Sequence, residues 1–479
     1  MIEYNINNFD TSNFDHVIIG SGPAAITLAI ELEKKGIKSI ILEAGGENYS
    51  ENSQNFYKGD VIGDKYYPLD FTRLRFFGGS SNHWAGICRT LDEYDFKDWE
   101  IKKEDLDKYL LKACEILEID SNFKDKDLNR DFKQVYFKFS PPVNFKEKYL
   151  EKIKKSKNIL LFLNTPLLRI IGNIEGNAKE IQVNNLNEIK NIKIEKLIIC
   201  CGGIENSRIL LWSQYQSNSN FLKNLKIGHF WMEHPHYDVG YFIGNLNNIF
   251  NLKDLLKTNK FISPKKEFIE KHHIGNLGLR FYQMQLSEKV KRVIDDLYCV
   301  APNFVKKIYK NIFDYNNPCS YLLKMAWEQK PDFNNRITLS KKNKDKNNIP
   351  LVELYWKKDK DVMRTPKIFM DNFGKYIAKN DLGRVGLLPY LNDENQSFPD
   401  TNEYGGHHHM GGTRIGSNSE NNDIVDNNLR VHGTKNLFVC GSSIFRTGGH
   451  ANPTLSIVQF SLKLADHLNK IKNIKVNNR

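Results

Sequence analysis

The sequence predicts an α/β protein with two parts: a parallel sheet flanked by helices, and an α+β part built on an antiparallel sheet. Three observations support this fold class. A buried apolar run, a glycine-rich turn and a helical segment follow one another near the N terminus. A second apolar run, residues 436–441, ends in a tight turn near the C terminus. Between them, Val352, Leu354 and Trp356 alternate with polar residues, as on a sheet with one face in water.

The first predicted element is a strand at residues 14–19, a β-branched apolar run suited to the interior of a parallel sheet. The turn that follows has the pattern G-x-G-x-x-A. Gly20 permits the tight turn, Gly22 lets the backbone approach a pyrophosphate group, and Ala25 keeps the next helix close to the sheet.

A helix at residues 26–35 and a second strand at residues 39–42 complete a βαβ unit. The helix N terminus stabilises phosphate charge. Glu43 follows the second strand, where a carboxylate can hold both hydroxyls of a ribose. A plain turn between strand and helix would not need all of these parts, so the segment predicts a dinucleotide site.

Composition narrows the class of protein. The chain has 479 residues, which predicts two domains, and a net charge of +12. Its lysines are spread along the chain without an arginine-rich arm, so we interpret the charge as solvated surface and expect no nucleic-acid binding, with an acidic partner as the alternative.

The cysteines and the N terminus predict a compartment. Seven cysteines without a C-x-x-C spacing indicate neither a disulfide framework nor a zinc site. The polar first thirteen residues lack the pattern of a signal peptide, and no run of eighteen apolar residues occurs. We therefore expect reduced thiols, no transmembrane segment and a cytoplasmic protein.

Two glycine-rich turns near the C terminus carry residues suited to catalysis. Residues 407–413 read His-His-His-Met-Gly-Gly-Thr, and residues 448–456 contain Asn452-Pro453-Thr454. An imidazole can accept a proton near neutral pH, and an amide can hold an oxygen on which charge develops. Such turns are also common without any function. Consecutive histidines point in different directions, so joint metal ligation by the three is not expected.

Taken together, these segments resemble the glucose-methanol-choline (GMC) family of FAD-dependent oxidoreductases. Four further segments stand in that family's order, and the similarity is thinnest from about residue 240 to residue 330. These segments are residues 77–84 (Phe-Gly-Gly-Ser-Ser-Asn-His-Trp), 197–206, 335–340 with 349–351, and the C-terminal block.

The resemblance implies that a primary or secondary alcohol, sugar-like in character, is oxidised to a carbonyl while FAD takes the hydride. Within the family, His83-Trp84 and the Asn-Pro-Thr-Leu sequence are most similar to pyranose oxidases and related sugar dehydrogenases. The family's motif places the proton-accepting base at His409 and the oxygen-holding amide at Asn452. His407 and His408 are expected to pack or to form pocket wall.

The resemblance also implies a set of flavin contacts. His83 occupies the place of a histidine that pyranose oxidases join covalently to the flavin, and packing without a bond is the alternative. His450 is the rival of Asn452, because the register near Gly448 is easily shifted. The implied FAD-binding residues are Gly20, Gly22, Ala24, Ala25, Glu43, Ala44, Gly79, Ser80, Asn82, His83, Gly202, Gly441, Ser442, Asn452, Pro453 and Thr454.

The family's organisation predicts a discontinuous FAD-binding domain. Its pieces are residues 10–105, 155–235 and 405–470, with a substrate-binding domain at residues 236–404 and residues 106–154 packing between. Trp231, His234 and His236 are expected to line the passage to the flavin, and a metal site there is disfavoured. The sheet that contains residues 352–356 is expected to roof the pocket.

Two other functions remain open from the sequence. The same pocket can perform lyase or isomerase chemistry without net oxidation, and a nucleotide-binding module can act through a partner or RNA. The electron acceptor (oxygen, a quinone or a protein) and the oligomeric state are not indicated by any motif.

Overall fold

The computed structural model describes residues 1–141, 143–217, 221–250, 259–283, 320–358, 360–393, 398–399 and 404–477. In this part of the chain, a six-stranded parallel sheet and an eight-stranded antiparallel sheet form the two largest layers. The predicted fold class is confirmed. Cys299 and Cys319 lie outside the described residues, and the five described cysteines are free thiols.

The parallel sheet explains the continuous apolar runs of the sequence. Its four central strands are buried along their whole length, so neither face requires polar residues. Each pair of neighbours is parallel. The order across the sheet is Ile2–Glu3, Ile159–Phe162, Ser39–Leu42, His16–Ile19, Lys196–Ile199 and Leu437–Val439.

Three helices pack beside this sheet. The first, Pro23–Lys34, begins three residues earlier than predicted because Pro23 suits the first helical position, where no backbone N–H is needed. Gly202–Gln216 follows the strand Lys196–Ile199. The closing helix Thr454–Asn477 contacts Pro23–Lys34.

The eight-stranded sheet provides the second large layer. One face packs on the helix Lys360–Lys379, with side chains such as Leu279 and Leu323 fully buried. The order is Arg384–Leu387, His236–Ile243, Ser320–Trp327, Leu277–Gln283, Asn259–Pro264, Phe132–Phe139 and Ile87–Cys88, with Lys126–Asp127 paired beside Phe132–Phe139.

Two smaller sheets complete the β-structure. The strands Arg336–Lys344 and Pro350–Trp356 pair in antiparallel orientation. These strands join Gly59–Gly63 in a separate three-stranded sheet. The expectation that residues 352–356 belong to the sheet over the pocket is therefore wrong, because Val352, Leu354 and Trp356 pack into a small core of their own.

The remaining described elements connect these layers. The other three-stranded sheet consists of Leu167–Gly172, Ala178–Asn185 and Glu188–Lys193. The shorter α-helices are Glu51–Gln54, Lys103–Asp107, Leu110–Leu117, Phe145–Lys155 and Lys266–His272. Among the residues described, no helix has the length and apolar character needed to cross a bilayer. The division into two domains at the predicted boundaries stays a prediction.

Candidate active site

A cavity of about 990 Å³ lies between the carboxyl ends of the parallel strands and the eight-stranded sheet. On one side, its wall contains the turns that follow the strands ending at Ile19, Leu42 and Ile199. On the other side, it contains side chains of the antiparallel sheet. Ligands of open parallel sheets bind at this edge, so the cavity is the candidate site.

The end of the cavity beside the N-terminal turn fits a dinucleotide. Gly20 has φ +94°, and a Cβ there would lie 2.7 Å from the Cys200 carbonyl oxygen, so the turn requires glycine. A Cβ on Gly22 would meet no atom within 4 Å, which leaves space for a pyrophosphate beside the helix that starts at Pro23.

Glu43 provides a buried carboxylate at the same end. Its oxygens accept hydrogen bonds from the Ser21 hydroxyl at 2.6 Å and the Gly45 backbone N–H at 2.7 Å. Burial raises the pKa of the Glu43 carboxyl. These two contacts fix the carboxylate at the end of the second strand, where the sequence predicts a contact to ribose hydroxyls.

Most of the predicted cofactor residues line this cavity. Ala25 does not, because it is fully buried between helix and sheet. Asn82 does not either, since its amide donates hydrogen bonds to the carbonyls of Phe77 and Gly79 and thereby folds the loop. The lining members are Gly20, Gly22, Ala24, Glu43, Ala44, Gly79, Ser80, His83, Gly202, Gly441, Ser442, Asn452, Pro453 and Thr454.

His83 faces the cavity from the glycine-rich loop. The residue is exposed, while the neighbouring Trp84 anchors the loop by donating from Nε1 to the Val143 carbonyl at 3.2 Å. Partial burial lowers the pKa of His83. The covalent link at this residue stays a prediction.

A chain of hydrogen bonds leads from a backbone carbonyl to Asn452. The Gly448 carbonyl oxygen lies 3.1 Å from His234 Nε2, and His234 Nδ1 lies 2.8 Å from His408 Nδ1. His408 Nε2 lies 3.0 Å from the Asn452 side-chain nitrogen. The structure thus brings Asn452 to His408 and not directly to His409.

This chain fixes the proton positions when both rings are neutral. The carbonyl of Gly448 can only accept, so Nε2 of His234 carries the proton and its Nδ1 is bare. His408 must then donate from Nδ1, which leaves its Nε2 to accept from Asn452. Burial lowers the pKa of His234 to about 4 and that of His408 well below its ordinary value, so both rings are neutral at pH 7.

His409 belongs to a second network on the opposite side of the same segment. Its Nε2 lies 3.1 Å from the Tyr66 hydroxyl, which in turn donates to Glu233. Burial, with Arg73 as the next cause, lowers the pKa of His409 well below its ordinary value, so this ring is also neutral. With Tyr66 donating to the carboxylate, His409 donates from Nε2 and keeps a bare Nδ1.

Glu233 joins the two networks. One carboxylate oxygen accepts the backbone N–H groups of His234 and His408, each at 2.8 Å, and the other accepts from Tyr66. Burial nevertheless raises the pKa of Glu233 to about 7. Its three hydrogen-bond partners explain why an acidic residue stands at this position.

The antiparallel sheet contributes the wall opposite the nucleotide end, and sequence reasoning missed it. The alternation of apolar residues with other residues at the start of segment 277–283 could have indicated this wall. Leu277 and Leu279 point to the core, whereas Gly278 and Arg280 point to the cavity. The wall residues from this sheet are Ile87, Phe137, His236, Phe261, Gly278, Arg280, Tyr282, Lys324 and Ala326.

The other predicted passage residues are divided by the structure. His236 lines the cavity, and burial lowers its pKa to about 3. Trp231 is fully buried behind the site, at 5.9 Å between its ring and that of His409. Within the described ranges, no group of three or more His, Cys, Asp or Glu side chains is placed to hold a metal ion.

Comparison with known proteins identifies the relatives of this chain. The sequence profile of the family described as "GMC oxidoreductase" matches residues 331–461. The large subunit of fructose dehydrogenase from Gluconobacter japonicus is 23% identical over 288 residues, which are 57% of this chain. The matched region covers 47% of that relative, about half its length.

Solved structures share the fold along nearly the whole chain. Pyridoxine 4-oxidase from Mesorbium loti is 13% identical with a TM-score of 0.56, covering 95% of this chain and 99% of its own. Formate oxidase is 16% identical with a TM-score of 0.56, covering 96% of this chain and 99% of its own. The narrower similarity to pyranose oxidases stays a prediction. Residues 331–461 are thus similar to the GMC oxidoreductase family, and nearly the whole chain shares the fold of these two solved structures.

Proposed function

We propose that this protein is an FAD-dependent oxidoreductase that converts a primary or secondary hydroxyl, of a sugar or a sugar-like compound, to a carbonyl. The observation that carries the proposal is one cavity that joins a dinucleotide cradle to two neutral imidazoles and an amide. Oxidation of an alcohol needs these parts together: a cofactor site, a proton acceptor and a group that holds the oxygen.

The residues at the nucleotide end suit FAD. The space at Gly22 and the helix beginning at Pro23 would hold the pyrophosphate, and Glu43 would hold the ribose. The loop at Gly79 and His83 would face the flavin, as would the N terminus of the closing helix at Thr454. When bound, FAD supplies the acceptor for the hydride that leaves the substrate carbon.

We assign proton acceptance to His409 and oxygen binding to Asn452. His409 is neutral and keeps a lone pair on Nδ1 while Tyr66 engages its Nε2. Asn452 uses one amide N–H on His408, so its second N–H is available for the substrate oxygen. In this assignment His408, fixed by His234, orients the amide.

A second assignment gives the proton to His408. The observation in its favour is the short contact to Asn452 together with the bare Nε2 that the Gly448 carbonyl imposes through His234. His408 Nε2 and the amide would then act as one unit on the same hydroxyl. The two assignments predict different variants to be inactive, so they are experimentally separable.

The test is flavin reduction without oxygen, using a panel of sugars and alcohols with wild-type protein, His409→Asn and His408→Asn. We expect wild type to bleach and His409→Asn to retain FAD but lose at least about a hundred-fold in rate, the usual contribution of a general base. A much larger loss in His408→Asn than in His409→Asn would move the base to His408. Conversion of substrate without bleaching would replace oxidation by lyase or isomerase chemistry.

A further inference from the structure

A carboxylate lies two hydrogen bonds behind the base assigned above. His409 Nε2 is 3.1 Å from the Tyr66 hydroxyl, and that hydroxyl donates to Oε2 of Glu233. His409 lines the cavity, whereas Glu233 has no exposed surface. The three side chains therefore form a hydrogen-bonded line from the cavity wall into the protein interior.

Packing holds the middle member of this line in place. The Tyr66 ring lies edge-on to Trp356 and Trp231, at 4.9 Å and 5.7 Å between ring centroids. Trp356 is fixed in turn, because its Nε1 donates to the Gln329 side-chain oxygen at 3.0 Å. The same oxygen accepts the backbone N–H of Glu233 at 3.1 Å. The phenol and the carboxylate are thus held on one frame.

The carboxylate at the end of the line has one oxygen that can take a proton. Oε1 of Glu233 accepts the backbone N–H groups of His234 and His408, each at 2.8 Å. Oε2 faces the Tyr66 hydroxyl, which can accept as well as donate, so Oε2 is the atom that can carry a proton. These partners are uncharged, and burial raises the pKa of the carboxyl to about 7.

The proton on this carboxyl decides which nitrogen of His409 is protonated. When Glu233 is ionised, Tyr66 donates to it and accepts from His409 Nε2, so His409 Nδ1 is bare. When Glu233 is protonated, it donates to Tyr66, and Tyr66 donates to His409 Nε2. Burial lowers the pKa of His409 well below its ordinary value, so the ring stays neutral and its proton then lies on Nδ1.

We propose that Tyr66 and Glu233 form a proton relay, in which Glu233 stores the proton that His409 takes from the substrate hydroxyl. The inference rests on the proposed oxidation with His409 as the base, and it adds two residues to that function. The hydroxyl proton moves to Nδ1 of His409, the Nε2 proton moves to the Tyr66 oxygen, and the Tyr66 proton moves to Oε2 of Glu233. The two electrons leave the substrate with the hydride, for which FAD is the acceptor. His409 ends neutral, so no positive charge is left on a buried ring.

The groups around this line leave Glu233 as the residue whose charge changes near pH 7. Burial lowers the pKa of the four neighbouring histidines, His83, His234, His407 and His408. The other titratable or charged groups that face the line are the phenol of Tyr67 and the guanidinium of Arg73, which pairs with Glu205 at 2.8 Å.

The first test follows the tautomer of His409 by NMR of the holoenzyme with ¹⁵N-labelled histidine, without substrate, from pH 5 to pH 8. Loss of its signal in His409→Asn identifies it. We expect the proton on Nε2 at pH 8 and on Nδ1 at pH 5, with the change near pH 7 where Glu233 ionises. In Glu233→Gln the amide donates to Tyr66 at every pH, so the proton should stay on Nδ1. In Tyr66→Phe the tautomer should not depend on pH.

The second test measures anaerobic flavin reduction by a panel of sugars with the same proteins. In wild type the rate should fall about ten-fold per pH unit below pH 7, because the ionised fraction of Glu233 falls by that factor. Glu233→Gln and Tyr66→Phe should lose this dependence and be roughly ten- to a hundred-fold slower at pH 8. Tyr355→Phe is the matched control, since it removes a phenol–carboxylate hydrogen bond of 3.4 Å to Glu353 outside the cavity wall, and it should behave as wild type.

The outcomes separate this inference from the proposed function. A His409 proton that stays on one nitrogen from pH 5 to pH 8 in wild type, with flavin still bleached by a sugar, would overturn the relay and leave the oxidation standing. A tautomer change near pH 7 that is lost in both variants, without bleaching by any sugar, would support the relay and contradict the oxidation. Neither a tautomer change nor bleaching would contradict both.

Discussion

Glu233→Gln is the substitution whose effect on stability follows most directly from the site. Burial raises the pKa of this carboxyl from 4.5 to about 7 in the folded protein. At pH values between 4.5 and about 7, the Glu233 carboxyl has lost its proton in the unfolded chain but keeps it in the native state. The native state therefore binds more protons, and its stability falls as the pH rises through this window.

The magnitude follows from the size of the pKa shift. A shift of about 2.5 units, at roughly 1.4 kcal/mol per unit, gives about 3 kcal/mol of unfolding free energy lost between pH 4.5 and pH 7. Glutamine has no proton to lose. Its carbonyl oxygen can accept from the backbones of His234 and His408, and its amide can donate to the Tyr66 hydroxyl oxygen.

The assay is urea unfolding of wild type and Glu233→Gln at pH 5 and pH 8, followed by tryptophan fluorescence. Relative to wild type, the variant should gain about 3 kcal/mol on going from pH 5 to pH 8. Glu420→Gln, at an exposed glutamate, is the matched control and should show no such change. A difference between variant and wild type that does not vary with pH would show that the Glu233 proton does not control stability in this range.

Three further predictions concern positions where geometry allows little freedom. Gly20→Ala places a Cβ 2.7 Å from the Cys200 oxygen at φ +94°, so the purified protein should contain little FAD, and full flavin content would contradict the prediction. Gly203→Ala places a Cβ 2.1 Å from the His409 carbonyl oxygen, so flavin reduction should slow. Gly386→Ala is the control: its Cβ would meet no atom within 4 Å, and the rate of flavin reduction should not change. Asp423→Asn leaves Arg414 and Arg446 without their buried carboxylate and should cost about 3–5 kcal/mol in urea unfolding, and an unchanged midpoint would be evidence against that role.

The nucleotide half of the fold was predictable because local sequence encodes it. A parallel strand buried on both faces is a continuous apolar run, and the turn at Gly20 needs glycine for its backbone. Residues 14–43 therefore indicate strand, turn, helix and strand without knowledge of the rest. The error at the start of the helix came from Pro23, which a helix accepts in its first turn.

The partner of Asn452 was not predictable from sequence. The directions of His408 and His409 depend on residues that approach from elsewhere: His234 on one side, Tyr66 on the other. Motif resemblance selects His409, whereas the tertiary contacts bring His408 to the amide. Only the complete fold shows that both rings are held by hydrogen bonds.

The wall opposite the nucleotide end was missed for a different reason. Arg280 and Lys324 become neighbours only through pairing of strands that are distant in sequence. Their charges look like ordinary surface when each strand is considered alone. The sequence shows the alternation of apolar residues with other residues around Gly278, but it does not show which face of the strand meets the cavity.

The most direct test of the account measures hydrogen transfer itself. The substrate that reduces the flavin fastest is prepared with deuterium on the carbon bearing the reactive hydroxyl, and anaerobic bleaching is followed in a stopped-flow instrument. If the carbon–hydrogen bond breaks as the flavin is reduced, the deuterated compound should bleach the flavin more slowly than the protiated one. Product formation with the flavin fully oxidised throughout would contradict oxidation as the function of this site.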